Sequence, residues 1–221
     1  MEKNNVELAR FNMIEQQIRP WNVPDDRALE QMAAIPREQF VPEQFRGLAF
    51  SDTELPIGEG QKMLAPRIEA HILQALNIES DDRILEVGTG SGYLTACLAG
   101  LGARVISVEI HKNLSNQAAE RLASLGIKNA ECRTADALAG PINGGPFDII
   151  AVSGSVPNSD QAEQFKVQLS DGGRLFIVIG EAPVMQMQLI TRTGSSFETE
   201  TIMQTELTPL EGVTYCKPFS L

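Results

Sequence analysis

The stretch Leu85-Glu86-Val87-Gly88-Thr89-Gly90-Ser91-Gly92-Tyr93 leaves the chain few folds to choose from. An apolar run reaches three glycines within five residues, and a helix-forming segment follows from Tyr93. Glycine lets the backbone turn sharply and approach a ligand closely, and the helix start behind it presents unpaired N–H groups. Strand, glycine turn and helix in this order begin a parallel α/β sheet, and the rest of the chain continues it. Residues 83–87, 104–108, 129–133, 147–152 and 172–180 read as strands, the fourth apolar enough for burial on both faces. Helices are expected between them: one opening at Pro66, where a missing N–H costs nothing, one from Tyr93, one over 111–125 ending at Gly126, and one over 161–169. Helices therefore cover both faces. After Gly180 the pattern changes to period two over 185–192 and 197–207, around Thr193-Gly194-Ser195-Ser196, which predicts an antiparallel hairpin.

The first 65 residues follow other rules. Val6, Phe11, Ile14 and Ile18 have helical spacing over 6–18, with Pro20 as the stop. Asp25-Asp26 caps a second short helix bearing Ala28, Leu29 and Met32. Pro36 and Pro42 punctuate an irregular stretch, and residues 51–60 read as a loop with strand potential near its middle. Residues 1–65 are thus expected to be a helical extension and active-site loop packed on a main domain of residues 66–221.

Composition narrows the function. With 18 basic and 29 acidic residues the net charge is -11, which offers no basic footprint for nucleic acid. No run of 18 apolar residues suggests a membrane span, and the N-terminus lacks the apolar core of a secretory signal, so a cytoplasmic protein is expected. Cys97, Cys132 and Cys216 are scattered and odd in number, and His71 and His111 are far apart, so neither disulfides nor a metal site is expected.

The glycine loop identifies the ligand class. A dinucleotide fingerprint needs G-x-G-x-x-G. Gly88 and Gly90 fit it, but the third position is Tyr93, and the spacing is G-x-G-x-G through Gly92, behind the acid Glu86. A carboxylate there disfavours pyrophosphate and suits a cationic cofactor. S-adenosylmethionine carries a sulfonium and an ammonium. Glu109 ends the second strand, where a carboxylate can accept both ribose hydroxyls, and Asp136 follows the third, where it can accept from the adenine amino group. Acids and glycines at successive strand ends obey the rule that open α/β sheets bind at their carboxyl edge. Thr89, Ile110, Ala137 and Met63 are grouped with these residues as cofactor contacts.

The chain also resembles protein-L-isoaspartate O-methyltransferases over most of its length. The resemblance is carried by MIEQQIRPWNV, IPREQFVPEQF, LAFSDTELPIGEGQ, RILEVGTGSGYLTACLAGL, VISVEI and QLSDGGRLFIVIG. The glycine motif is common to many methyltransferases; the PREQFVP and AFSD-to-GEGQ segments lie outside the cofactor fold and are more specific. The resemblance implies a Rossmann-like class I methyltransferase fold, a mostly parallel seven-stranded sheet with a C-terminal antiparallel pair. It implies methyl transfer to the α-carboxylate of isoaspartyl residues in damaged proteins, whose ester then collapses to a succinimide. A carboxylate is already nucleophilic at neutral pH, so orientation and desolvation can supply most of the catalysis.

One position departs from the family. Where its loop reads like G-Q-T-I-S-Q-P, this chain has Gln61-Lys62-Met63-Leu64-Ala65-Pro66, so the serine with the active-site role is Leu64 and the threonine is Lys62. Leucine cannot donate to a carboxylate, and it reads as a hydrophobic anchor for the loop rather than as a catalytic residue. Lys62 and Arg67 are alternative donors or solvated charges. Asp52, in Ala49-Phe50-Ser51-Asp52, is retained, in the active site or as a loop-fixing cap. Ser153 and Ser155 are polar contacts or turn formers, and the D/N-P-P-Y segment of amino-group methyltransferases is absent after the fourth strand. The C-terminal GVTYCKPFSL matches the family loosely and contributes no predicted contact. Two alternatives stay open: a same-fold methyltransferase with a more apolar acceptor, and a non-catalytic homologue that keeps the cofactor cleft. The oligomeric state is not legible.

Overall fold

The computed structural model describes residues 3–215 of the chain, so residues 216–221, Cys216 among them, lie outside the described residues. The chain opens with α1 (Lys3–Asn12), whose path continues through a π-helical turn (Met13–Ile18) and a 3-10 turn (Arg19–Trp21). Asn22, at φ +62°, ends it. The expected stop at Pro20 is corrected: proline sits in the first turn of the 3-10 segment, where it has no N–H bond to lose. In α2 (Asp26–Ala34) the Asp25 side chain accepts from the N–H groups of Arg27 and Ala28, the cap the acidic pair predicts. Two 3-10 turns follow, and then a hairpin of β1 (Leu55–Gly58) and β2 (Gln61–Met63). Glu59 and Gly60 turn it with φ of +51° and +73°, the positive pair that a tight hairpin requires. The strand potential expected near the middle of residues 51–60 is realised as β1, which pairs with β2 in an ordered two-stranded platform.

The remaining elements are α3 (Pro66–Leu76), β3 (Arg83–Val87), α4 (Tyr93–Leu101), β4 (Arg104–Glu109), α5 (Lys112–Ser124), β5 (Ala130–Thr134), β6 (Phe147–Val156), α6 (Glu163–Lys166), β7 (Leu169–Glu181), β8 (Val184–Thr193) and β9 (Ser196–Gln204). Seven strands form one sheet in the order β5-β4-β3-β6-β7-β8-β9. The five from β5 to β7 are parallel, and β8 and β9 close it as an antiparallel hairpin. The chain lays β4 and β5 to one side of β3, then crosses back to place β6 on the other. A sheet that reverses direction in this way opens a crevice at the strand carboxyl ends, here beyond β3 and β6.

Strand alternation divides the interior in two. Leu85 and Val87 of β3 join Ile150 and Val152 of β6 on one face. Ile84, Ile149 and Ala151 join α3 and α4 on the other. The second core also takes in Met13, Ile18, Leu29, Met32, Phe40 and Phe50, so the N-terminal segment is continuous with the sheet's own packing. Burial of each such side chain contributes roughly 1.5–3 kcal/mol.

Two expectations are corrected. The helix over 161–169 is a 3-10 turn (Ser159–Ala162) and the four-residue α6, with Leu169 already in β7. Phe165 and Leu169 have helical spacing, yet each is buried by a different element. The strand expected to reach residue 207 stops at Gln204. Beyond it the chain leaves β8 and lies against the end of β6, where the Ser155 N–H donates to the Thr208 carbonyl and the Leu210 N–H to the Ser155 carbonyl.

Candidate active site

A cleft opens at the carboxyl ends of β3, β4 and β6. Its floor is the glycine loop, with Val87, Gly88 and Gly90 exposed to it. Gly88 has φ +92°, and a Cβ there would lie 2.5 Å from Ser153 Oγ. That hydroxyl donates to the carbonyls of Val87 at 2.9 Å and Gly88 at 2.6 Å, clamping β6 to the loop. One wall is Glu109, Ile110, Asp136 and Ala137; the opposite wall is the β1–β2 hairpin with Ile57, Lys62 and Leu64; residues 208–211 close the far side.

Glu109, 5% exposed, ends β4 and lines the cleft. Its Oε2 accepts from the Gly90 N–H at 2.9 Å and its Oε1 from the His111 N–H at 3.0 Å. The carboxylate is thereby fixed at the cleft wall. Asp136 is exposed, with Oδ1 accepting from the Leu138 N–H at 2.8 Å. Among the described residues, the cleft contains the carboxylates of Glu54, Glu109, Asp136 and Glu211 against the single cation Lys62, a setting that favours a positively charged ligand.

Other predicted residues lie elsewhere. Glu86 is fully buried and does not line the cleft. Its Oε2 accepts from Thr95 Oγ1 at 2.5 Å and Ser107 Oγ at 2.6 Å. Burial, with the nearby Glu109 charge adding to it, pushes its carboxyl up to about 8. It is a buried strut between β3, β4 and α4, and of the two glutamates only Glu109 lines the cleft. Thr89 is engaged with Ser107 at 2.5 Å, Gly92 packs its backbone against Ala118, and Met63 is a core residue. These three support the loops without lining the cleft. Of the predicted contacts, Gly88, Gly90, Glu109, Ile110, Asp136 and Ala137 are the ones brought together on it.

Leu64 lines the cleft and also packs on the core, so it has both the anchoring position and the view of the site. Asp52 is not part of the cleft. Its Oδ1 accepts from the Arg67 N–H at 3.2 Å, in the first turn of α3, and its Oδ2 pairs with Arg67 Nε at 3.4 Å. It caps α3 from outside. Arg67 is drawn away as well, its guanidinium 4.2 Å over the Trp21 ring. Ser155 is buried and donates to the Leu207 carbonyl at 3.0 Å.

Sequence reasoning missed Arg37. It is fully buried, donates to the Ala49 carbonyl at 2.9 Å and the Leu64 carbonyl at 2.6 Å, pairs with Glu69, and stacks 4.6 Å over the Tyr93 ring. It ties the N-terminal segment, the cleft-lining loop and α3 together. Its place within PREQFVP, a segment outside the cofactor fold, was the available signal. The wall at residues 208–211 was also missed, because it depends on pairing with β6 across some fifty residues of sequence.

The family model described as protein-L-isoaspartate(D-aspartate) O-methyltransferase matches residues 9–214. The chain belongs to that family. A Serratia proteamaculans protein-L-isoaspartate O-methyltransferase is 39% identical over 201 residues, 91% of this chain and 95% of its own. One from Rhodopseudomonas palustris is 38% identical over 205 residues, 92% of this chain and 83% of its own. Among solved structures, a Plasmodium falciparum protein assigned to the same family, in complex with S-adenosyl-L-homocysteine, superposes with a TM-score of 0.77 at 23% identity, covering 93% of this chain and 98% of that one. A second structure, named protein-L-isoaspartate O-methyltransferase, gives 0.78 at 21% identity, covering 93% of this chain and 66% of that one. At these identities the structural likeness establishes the fold.

Proposed function

We infer that this enzyme transfers a methyl group from S-adenosylmethionine to the α-carboxylate of isoaspartyl residues in proteins. The observation that carries the reading is the family match over residues 9–214, which spans the glycine loop, the acids beside it and the hairpin opposite. The residues on the cleft fit the cofactor: Gly88 and Gly90 give close backbone approach, Glu109 suits ribose hydroxyls, Asp136 with Ile110 and Ala137 suits adenine, and the acidic wall suits a sulfonium. The cofactor supplies an electrophilic methyl, so that a C–O bond forms as the C–S bond breaks and neutral S-adenosylhomocysteine leaves. The chain's own residues need only orient and desolvate the acceptor, because a carboxylate is already the nucleophile.

The test is base-labile label on an isoaspartyl peptide after incubation with methyl-labelled S-adenosylmethionine, and none on its aspartyl isomer. Absence of label on both overturns the acceptor. A second reading, a less polar acceptor, is favoured by the Leu64 side chain on the cleft wall. It predicts that isoaspartyl esterification emerges only in Leu64→Ser.

A further inference from the structure

We propose that Lys62 is the residue that binds the acceptor's α-carboxylate, taking the part that Leu64 cannot play. The proposal rests on the isoaspartyl reading and assigns the residue that makes that acceptor specific. Strand alternation in β2 supplies the first ground. Met63 points into the core, so Lys62 and Leu64 on either side of it face the cleft together.

Position is the second. Beside the glycine-loop cleft lies another cavity, bounded by the β7–β8 turn at Glu181 and Ala182 and by residues 206–209. The two spaces share Glu54, Lys62, Thr208 and Pro209. Lys62 stands where they meet. With the cofactor on the glycine loop, an acceptor entering through the second cavity passes Lys62 to reach the methyl.

Elimination is the third. Among the described residues lining either space, Lys62 is the one basic side chain. Arg67 is held by Asp52 and Trp21 and lines neither. Arg37 is buried, with its donors engaged by Ala49, Leu64 and Glu69.

The ammonium is available. Lys62 Nζ donates to Glu54 Oε2 at 2.9 Å, and the side chain is 51% exposed. A lysine has three donors, so two remain for a carboxylate without breaking the Glu54 pair. An exposed ion pair of this kind is held weakly and can re-partner. The hydrogen bond to Glu54 raises the pKa of the ammonium, yet the Glu54 negative charge opposes an incoming carboxylate. The two members of the pair therefore act on the acceptor with opposite sign.

The experiment compares the wild type with Lys62→Met, Lys62→Arg and Glu54→Gln. It measures kcat and KM for an isoaspartyl peptide, affinity for the same peptide with its α-carboxylate as an unreactive carboxamide, and affinity for S-adenosylhomocysteine. Lys62→Met is expected to raise KM for the carboxylate about 10- to 100-fold, with carboxamide and S-adenosylhomocysteine affinities unchanged. Lys62→Arg is expected to retain most of the activity, and Glu54→Gln to lower KM. A pair that merely braces the hairpin would give the same direction of change in Lys62→Met and Glu54→Gln, and would weaken carboxamide binding too; that pattern overturns the proposal. An unchanged KM in Lys62→Met, beside a wild type that esterifies the peptide, also overturns it and leaves the proposed function standing. A wild type that esterifies nothing overturns both.

Discussion

Two glutamates on adjacent strands show how the same residue type divides its labour by environment. Glu109 accepts two backbone N–H bonds at the cleft wall, and Glu86 sits beneath the loop with two hydroxyls. Glu109→Ala is expected to weaken S-adenosylhomocysteine binding about 10- to 100-fold, read by calorimetry. Unchanged affinity would remove Glu109 from the cofactor site. Glu86→Gln has a pH signature instead. Its folded carboxyl titrates near 8 because of burial, whereas an unfolded glutamate titrates near 4.3. Between those values the native state holds a proton that the unfolded state has released, so stability falls as pH rises, by at most about 1.4 kcal/mol per pH unit. Glutamine mimics the neutral acid. The melting-temperature difference between Glu86→Gln and wild type should be smallest below about pH 4 and grow in the variant's favour up to about pH 8; a constant offset above about pH 5 would show an ionised Glu86. The sequence displayed both acids at the right strand ends. It hid their difference, because whether a β3 residue faces the cleft or the packed face is set by register and by which helix covers it.

Elements were easier to read than their joins. The strands of the parallel sheet and the C-terminal hairpin follow from apolar runs and period-two alternation, which are local signals. The failures share a cause: α6 and the end of β9 take their form from long-range partners. Asp52 is such a partner. It caps α3 from fourteen residues upstream of Pro66, beside an Ala65 N-cap that has no side-chain acceptor of its own. Asp52→Ala should therefore cost about 0.5–2 kcal/mol of stability, as lost caps do, measured by denaturant unfolding. KM for an isoaspartyl peptide should stay close to wild type at temperatures where the variant is folded. A collapse of kcat with stability intact would place Asp52 in the chemistry.

At the scale of the molecule, the buried Arg37–Glu69 pair joins the N-terminal segment to α3. Arg37→Met leaves Glu69 buried without its partner, and loss of one member of such a pair typically costs about 3–5 kcal/mol. Adding Glu69→Leu should recover much of that loss in thermal unfolding. If the double variant is no better than the single, the carbonyls of Ala49 and Leu64 that Arg37 also serves are the greater need. The same shared core governs how the chain comes into being. Met13, Ile18, Met32 and Phe40 emerge from the ribosome before α3 and α4, the helices they pack against. At ordinary synthesis speeds the delay is on the order of several seconds. During it these residues display apolar surface that only later-made segments can bury.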